Sequence, residues 1–347
     1  FNKLRIRSAY GISYKSPALI QLYPGPSYHD FTNMSFYATN PLERLAIDST
    51  YVYQPTNEHL EPSRGETMEF GLDWESDNFR IRTTYFRRNL ENGIYHTQEL
   101  LILDLQRYEV VERPPDRQPI VAPIEDGIEK LIRTNYVLKN SYYAYTDGLE
   151  MTLSPPKIEA TNTDFDLNFS YMKTREIDRG YRIILEEATI GEDRARHGVY
   201  EQPLKSSYLS RGNLTVIQHI PSIRLVFTFV VELNIENYSR RTGASLYPYA
   251  YYDSEGVYHD IPAERRQDQE YANLVLPEHT YTLLEYPPFH TNYHLQVRKE
   301  TKSGHSFSFF ANNLFWYNPE YFTDAGYRRN HNGKISFGFS ASFRLLE

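Results

Sequence analysis

The sequence predicts an all-β chain, an antiparallel segment of a transmembrane β-barrel with about ten strands, and three observations predict it. Apolar and polar residues alternate with a period of two in ten separate stretches, the pattern of strands with one apolar and one polar face. The links between those stretches are short and long in strict alternation. Tyr (31) and Phe (19) are abundant although the mean hydropathy is negative, which suits strands with one side in lipid and the other wet.

The elements follow in order. In Leu4–Tyr14 the apolar set is Leu4, Ile6, Tyr10, Ile12 and Tyr14, between Arg5, Arg7, Ala9, Gly11 and Ser13. Residues 67–75 set Met68, Phe70, Leu72 and Trp74 against Glu69, Gly71 and Asp73. Residues 79–88 set Phe79, Ile81, Thr83 and Tyr85 against Arg80, Arg82 and Thr84. Two further strands carry Leu149, Met151, Leu153 and then Phe165, Leu167, Phe169, Tyr171, and a weaker one spans 208–218. The strongest alternation, Leu225–Glu236, puts Leu225, Phe227, Phe229, Val231, Leu233 and Ile235 on one face. The last three centre on Tyr293, Leu295 and Val297, on Phe307, Phe309 and Ala311, and on a stretch from Ile335 to Leu345.

Alternation alone fits a soluble sandwich equally well; the links separate the two. Short turns are expected near 76–78, 155–163, 220–222 and 301–304, and long, structureless links near 15–65, 92–141, 175–205, 238–289 and 316–332. A compact soluble domain has little use for several unstructured loops of roughly 30–50 residues. A barrel has short periplasmic turns on one rim and long extracellular loops on the other. Trp74 and Phe79 flank the first short turn and Tyr14 precedes a long link, where interfacial aromatic girdles would lie. No stretch approaches the roughly 18 apolar residues of a membrane helix. The chain opens at Phe1 without a leader and is read as a processed or truncated product lacking its N-terminal part.

The net charge of −8 argues against a nucleic-acid partner, and the absence of cysteine excludes disulfides and thiolate metal sites. His290 and His294 share strand parity but have no third ligand nearby, so they are read as polar residues lining a lumen. The acidic run Asp253, Glu255, Asp260 lacks an EF-hand pattern and is read as a solvated loop. No catalytic residue, cofactor or metal is assigned. The aromatic residues of the expected outside loops, Tyr23, Tyr28, Tyr247, Tyr249, Tyr251, Tyr252 and Trp316, are the candidate ligand contacts, because flat rings with polar edges suit sugars and ligand rings.

Several stretches resemble TonB-dependent outer-membrane receptors. They are Tyr10 to Leu19 (YGISYKSPAL) with Leu22 to Pro26 (LYPGP), and Leu60 to Asp73 (LEPSRGETMEFGLD), in which Ser63 stands where that family often has an acid. Asp147 to Glu150 (DGLE), Ala311 to Phe315 (ANNLF) and the closing Ser336 to Phe343 (SFGFSASF) are similar too. Arg344 to Glu347 continue past the family's usual aromatic end. Trp316 to Pro319 loosely resembles a motif of Bacteroidetes-type glycan importers. The resemblance implies the last ten of 22 strands, in a bacterial outer membrane and surrounded by its lipid. It implies as partners a plug domain and earlier strands outside this chain, the TonB complex, a lipoprotein lid and a nutrient ligand. On the residues alone two other readings stay open: a complete ten-strand outer-membrane barrel enzyme of the protease kind, and a soluble all-β carbohydrate-binding protein.

Overall fold

The computed structural model describes residues 3–185, 195–277, 280, 286–323, 326–330 and 333–344. Its elements begin with β1 (Lys3–Lys15), a one-turn helix α1 (Leu19–Leu22), β2 (Ser27–Phe36), β3 (Leu45–Tyr53), β4 (Ser63–Ser76), β5 (Phe79–Glu112), β6 (Ile120–Ser154) and β7 (Thr163–Asp178). There follow β8 (Tyr181–Ile184), β9 (His197–Glu201), β10 (Leu204–Ile220), β11 (Leu225–Thr242), β12 (Ala250–Tyr252) and β13 (Tyr258–Asp260). The chain ends with β14 (His290–Glu300), β15 (Ser306–Tyr317), β16 (Tyr321–Phe322), β17 (Arg328–Arg329) and β18 (Ser336–Ser342).

Ten strands form one antiparallel sheet in the order β1-β4-β5-β6-β7-β10-β11-β14-β15-β18. They are the ten that alternation predicts; Leu345, expected at the end of the last, lies outside the described residues. β1 and β18 are the sheet's two edges, so the described residues form an open sheet.

Directly opposed residues of antiparallel strands share a face, so the register sorts every side chain. One row crosses nine strands as Leu4, Trp74, Ile81, Leu153, Leu167, Leu214, Val231, Tyr293 and Phe315, without a polar interruption beyond one phenol. One residue along, the other face reads Arg5, Asp73, Arg82, Thr152, Asn168, Asn213, Glu232, Asn292 and Trp316. The apolar face is open to its surroundings: Leu4, Ile6, Phe70, Met68, Phe337 and Phe339 are all more than half exposed. On that face Phe309 stacks on Phe337 and Phe229 on Tyr293, at 6.2 and 6.0 Å between centroids.

The rows also reveal a stagger. Trp74 stands near the short-turn end of β4, whereas Phe315 stands near the long-link end of β15. The drift is about seven residues, roughly 23 Å, over roughly 34 Å of sheet width. It corresponds to strands inclined by about 34°, close to the roughly 35–45° that barrels require.

The polar face is held by side chains crossing between strands. Arg7 makes a two-pronged contact with Asp73 (3.0 and 2.9 Å) while lying over Gly71, where a Cβ would come within 2.7 Å of its guanidinium. Phe86, almost fully buried, lies flat over Gly148, and Phe310 lies over Gly338; a Cβ at either glycine would collide with the ring. Thr152 donates to Asn168 and Ser154 to Asp166 (2.9 and 2.6 Å). The apolar face turns polar towards the long links, where the Tyr85 hydroxyl and Arg87 both donate to Asp147 (2.8 and 2.7 Å) and Tyr10 donates to Glu66 (2.7 Å). Trp74 and Phe79 meet edge to face at 5.3 Å beside the short turn.

Two expectations need correction. The long links are not structureless. The 92–141 link continues β5 and β6 as one ribbon, paired as far as Glu112 and Ile120 through several bulges. Each bulge shifts the alternation by a residue and so hides a strand from a period-two search. The 15–65 link folds into the β2–β3 hairpin, 175–205 and 238–289 supply the four-stranded sheet β13-β12-β9-β8, and 316–332 holds β16–β17. Ile235 also leaves its expected row: a bulge opposite Ser210/Arg211 leaves it without a cross-strand partner and brings Glu236 and Tyr238 into register with Ser210 and Tyr208.

Candidate functional site

The structured links gather at one end of the sheet. The four-stranded sheet has a small core of its own: Val199, Tyr200 and Ala250 are almost fully buried, and Ile261, Tyr271 and Leu274 form an adjoining cluster. The Tyr200 hydroxyl donates to the Leu274 carbonyl at 2.5 Å, tying the 3-10 turn Gln269–Leu274 to β9. The cap is fastened to the β5–β6 ribbon: Ile183 N donates to Gln98 Oε1 (2.7 Å), Lys130 pairs with Glu255, and Gly256 sits against Ile102. The β2–β3 hairpin contacts the same ribbon where Arg107 donates to the carbonyls of Thr32 and Asn33, 3.0 Å each, and to Glu129.

The sequence candidates divide between two situations. Tyr23, Tyr28 and Trp316 are exposed, at the end of α1, on β2 and at the long-link end of β15. The stretch containing Tyr247, Tyr249, Tyr251 and Tyr252 is built into the cap. Tyr251 stacks on His259 at 4.8 Å with the Arg196 guanidinium 5.0 Å from its ring centre, and Tyr252 meets Tyr258 edge to face at 5.3 Å. Burial pushes the Tyr249 phenol up to about 12, helped by neighbouring tyrosines. Tyr247 is half-buried, its backbone N–H donating to Ser245 Oγ at 3.0 Å.

The acidic run is consumed by its own turn. Asp253 accepts from the Glu255 and Val257 N–H groups (2.9 Å each) and lies 2.8 Å from His259 Nε2. Burial pushes its carboxyl up, but those hydrogen bonds outweigh burial and hold it below the ordinary carboxylate range. His294 stands 3.5 Å from Glu232, and His290 is turned to the Pro288 carbonyl (3.1 Å). Among the described residues no group of three His, Asp or Glu side chains could hold a metal ion.

Among the cavities on the polar face of the described residues, two are bordered by several charged side chains. One, of about 370 Å³, is a mid-strand trough bordered by Glu150, Asn168, Arg211, Asn213 and Glu232. The larger, of about 710 Å³, sits where the strands reach the cap. Tyr95 and Tyr142 stack there at 5.3 Å, Glu176 is clasped by Lys205 (2.7 Å) and the Tyr142 hydroxyl (3.0 Å), and Arg182 and Arg241 complete the wall. None of the seven aromatic candidates lines either cavity. The missed residues sit in links that the sequence reading takes as unstructured, or just past a strand end. The one available signal was the repeated tyrosine at 95, 136 and 142.

Comparison of the chain with protein-family models, with curated proteins and with solved structures finds no match in any of the three.

Proposed function

We propose that the chain is the C-terminal part of the barrel of a TonB-dependent outer-membrane receptor, a non-enzymatic importer of a scarce nutrient. The observation that carries this reading is the pair of adjacent rows, one apolar across nine strands apart from the Tyr293 phenol, the next polar from Arg5 to Asn292 and ending in Trp316. A band about ten strands wide at ~4.8 Å spacing, and roughly 20 Å tall once the Leu225–Leu233 run is tilted, covers roughly 1,000 Å². Monomeric proteins in water rarely expose an apolar patch beyond roughly 300–600 Å², and lipid is the medium that removes the cost. No described helix is long and apolar enough to cross a membrane; strands of a closed barrel are the other means of crossing. The strand inclination and the charged, hydrogen-bonded opposite face, suited to a wet lumen, support the same reading. In the intact receptor a plug domain and the TonB complex would supply energy coupling, and the structured links, with a lipoprotein lid, would capture the ligand.

The two tryptophans lie on opposite faces, which gives a direct test. In vesicles containing brominated lipid, the Trp316→Phe chain, with Trp74 alone, should lose most of its fluorescence, and the Trp74→Phe chain should keep most of it. Equal quenching of both, or a folded chain that stays in aqueous solution without detergent, contradicts the membrane reading. Deletion of the gene should abolish energy-dependent uptake of the nutrient; unchanged uptake contradicts the receptor reading.

A further inference from the structure

The larger cavity has an unbalanced charge. Lys205 and Arg241 are direct cross-strand partners on β10 and β11, and like charges placed so are destabilising. Glu176, opposite Lys205 on the other side, neutralises only Lys205. The second acid, Asp178, accepts from the Ser141 hydroxyl (2.7 Å) and the Gly180 N–H (2.9 Å) and keeps its charge, so the lining sets the cations Arg182, Lys205 and Arg241 against the carboxylates Glu176 and Asp178. Arg182 and Arg241 have neither ion pair nor side-chain hydrogen bond among the described residues, yet both face the same cavity. Beside them Tyr95 and Tyr136 present rings that are 48% and 61% exposed. Tyr95 is braced by its stack on Tyr142, and Tyr136 by Gln98 Nε2, which donates to its hydroxyl at 3.3 Å.

A guanidinium fork selects carboxylate, sulfate or phosphate oxygens, and a braced phenol ring offers a flat face to a sugar or another ring. A volume of about 710 Å³ falls in the range of small-molecule sites, roughly 300–1,000 Å³. We propose that this cavity is a binding site for an acidic saccharide, a sugar bearing a carboxylate or sulfate, with Arg182 and Arg241 taking the anionic group and Tyr95 and Tyr136 the ring face. The proposal deepens the receptor reading, on which it rests for the ligand's arrival from outside, and names the class of its cargo.

The test is calorimetric titration of the detergent-solubilised chain with a di-uronate, a sulfated disaccharide, a neutral disaccharide of equal size and inorganic sulfate. At least one acidic disaccharide should bind, and more weakly as salt rises. Arg241→Gln should weaken it roughly tenfold or more, as expected for a charged hydrogen bond, and Tyr136→Ala several-fold. Both side chains are exposed, so unchanged far-UV circular dichroism is expected of both variants. Neutral disaccharide binding equal to the acidic ones overturns the charge assignment, and sulfate alone binding as tightly overturns the ring assignment. Absence of binding by both acidic sugars, or binding unchanged in both variants, overturns the site. None of these outcomes alters the tryptophan quenching pattern, so failure of the site and failure of the membrane reading are distinguishable.

Discussion

The ten-strand sheet and the cap above it solve the burial of apolar side chains in opposite ways. The cap turns its apolar residues inward: Val199, Tyr200 and Ala250 are at most 1% exposed, within a core assembled from four short strands and a 3-10 turn. The sheet leaves apolar residues uncovered on one face, with Phe339 at 68% and Leu4 at 65% exposed, and places charge and hydrogen bonds on its other side. The cap carries its own apolar medium in its interior, whereas the sheet, in the proposed receptor, takes one from its surroundings. A substitution that destabilises one should therefore leave the other largely intact, and the solvent should matter to the sheet far more than to the cap.

The largest expected effect is on the cap. Tyr200→Ala removes a buried ring and its bond to Leu274, and should destabilise the cap by about 3–5 kcal/mol. Limited proteolysis should then cleave within 195–277 while the main sheet keeps its circular dichroism. Next comes a charge on each face of β11. Phe229→Arg should cost about 2–4 kcal/mol in urea unfolding from lipid, and Thr228→Arg, one residue away on the polar face, far less. Equal costs would erase the distinction between faces. Gly148→Val forces a Cβ into the Phe86 ring and should cost about 1–3 kcal/mol by overpacking, read in the same unfolding assay.

Two smaller effects depend on pH and are confined to the cap. The Tyr249 phenol is raised in the folded state to about 12. Its contribution is thus present below the ordinary tyrosine value of about 10 and is lost as pH rises through about 12. Ultraviolet titration should find it un-ionised at pH 11 in the folded chain. Asp253 is depressed, so its contribution is present above the ordinary carboxylate value of about 4 and is lost as pH falls through its lowered value. Protection of the Glu255 and Val257 amides, measured against their intrinsic exchange rate, should fall in acid, and Asp253→Asn should remove that dependence.

Most of the ten sheet strands were legible because they alternate over at least three apolar positions, as Met68, Phe70, Leu72 and Trp74 do, whereas 208–218 has only Leu214 and Val216 in succession and shows the period most weakly. The β5–β6 ribbon was not, because bulges between Leu90 and Gly93 and between Gly93 and Tyr95 shift its phase twice. β8, β9, β12 and β13 are too short to carry a period, and the β9–β12 pairing that unites them joins distant residues, as Ala250 with Val199. The cavity was illegible for a related reason. Arg182, Lys205 and Arg241 are unremarkable singly, and only register sets Lys205 against Arg241. The seven aromatic candidates followed local tyrosine density, which in 247–252 marks cap packing.

In the proposed receptor one face of the sheet meets lipid and the other water. The chain has no cysteine, so single cysteines can be placed along β11 from 227 to 234 and spin-labelled in lipid vesicles. Labels at 227, 229, 231 and 233 should be relaxed by oxygen, which concentrates in lipid, and those at 228, 230, 232 and 234 by a water-soluble nickel reagent. An alternation with period two supports the account; uniform access of the nickel reagent to all eight positions contradicts it.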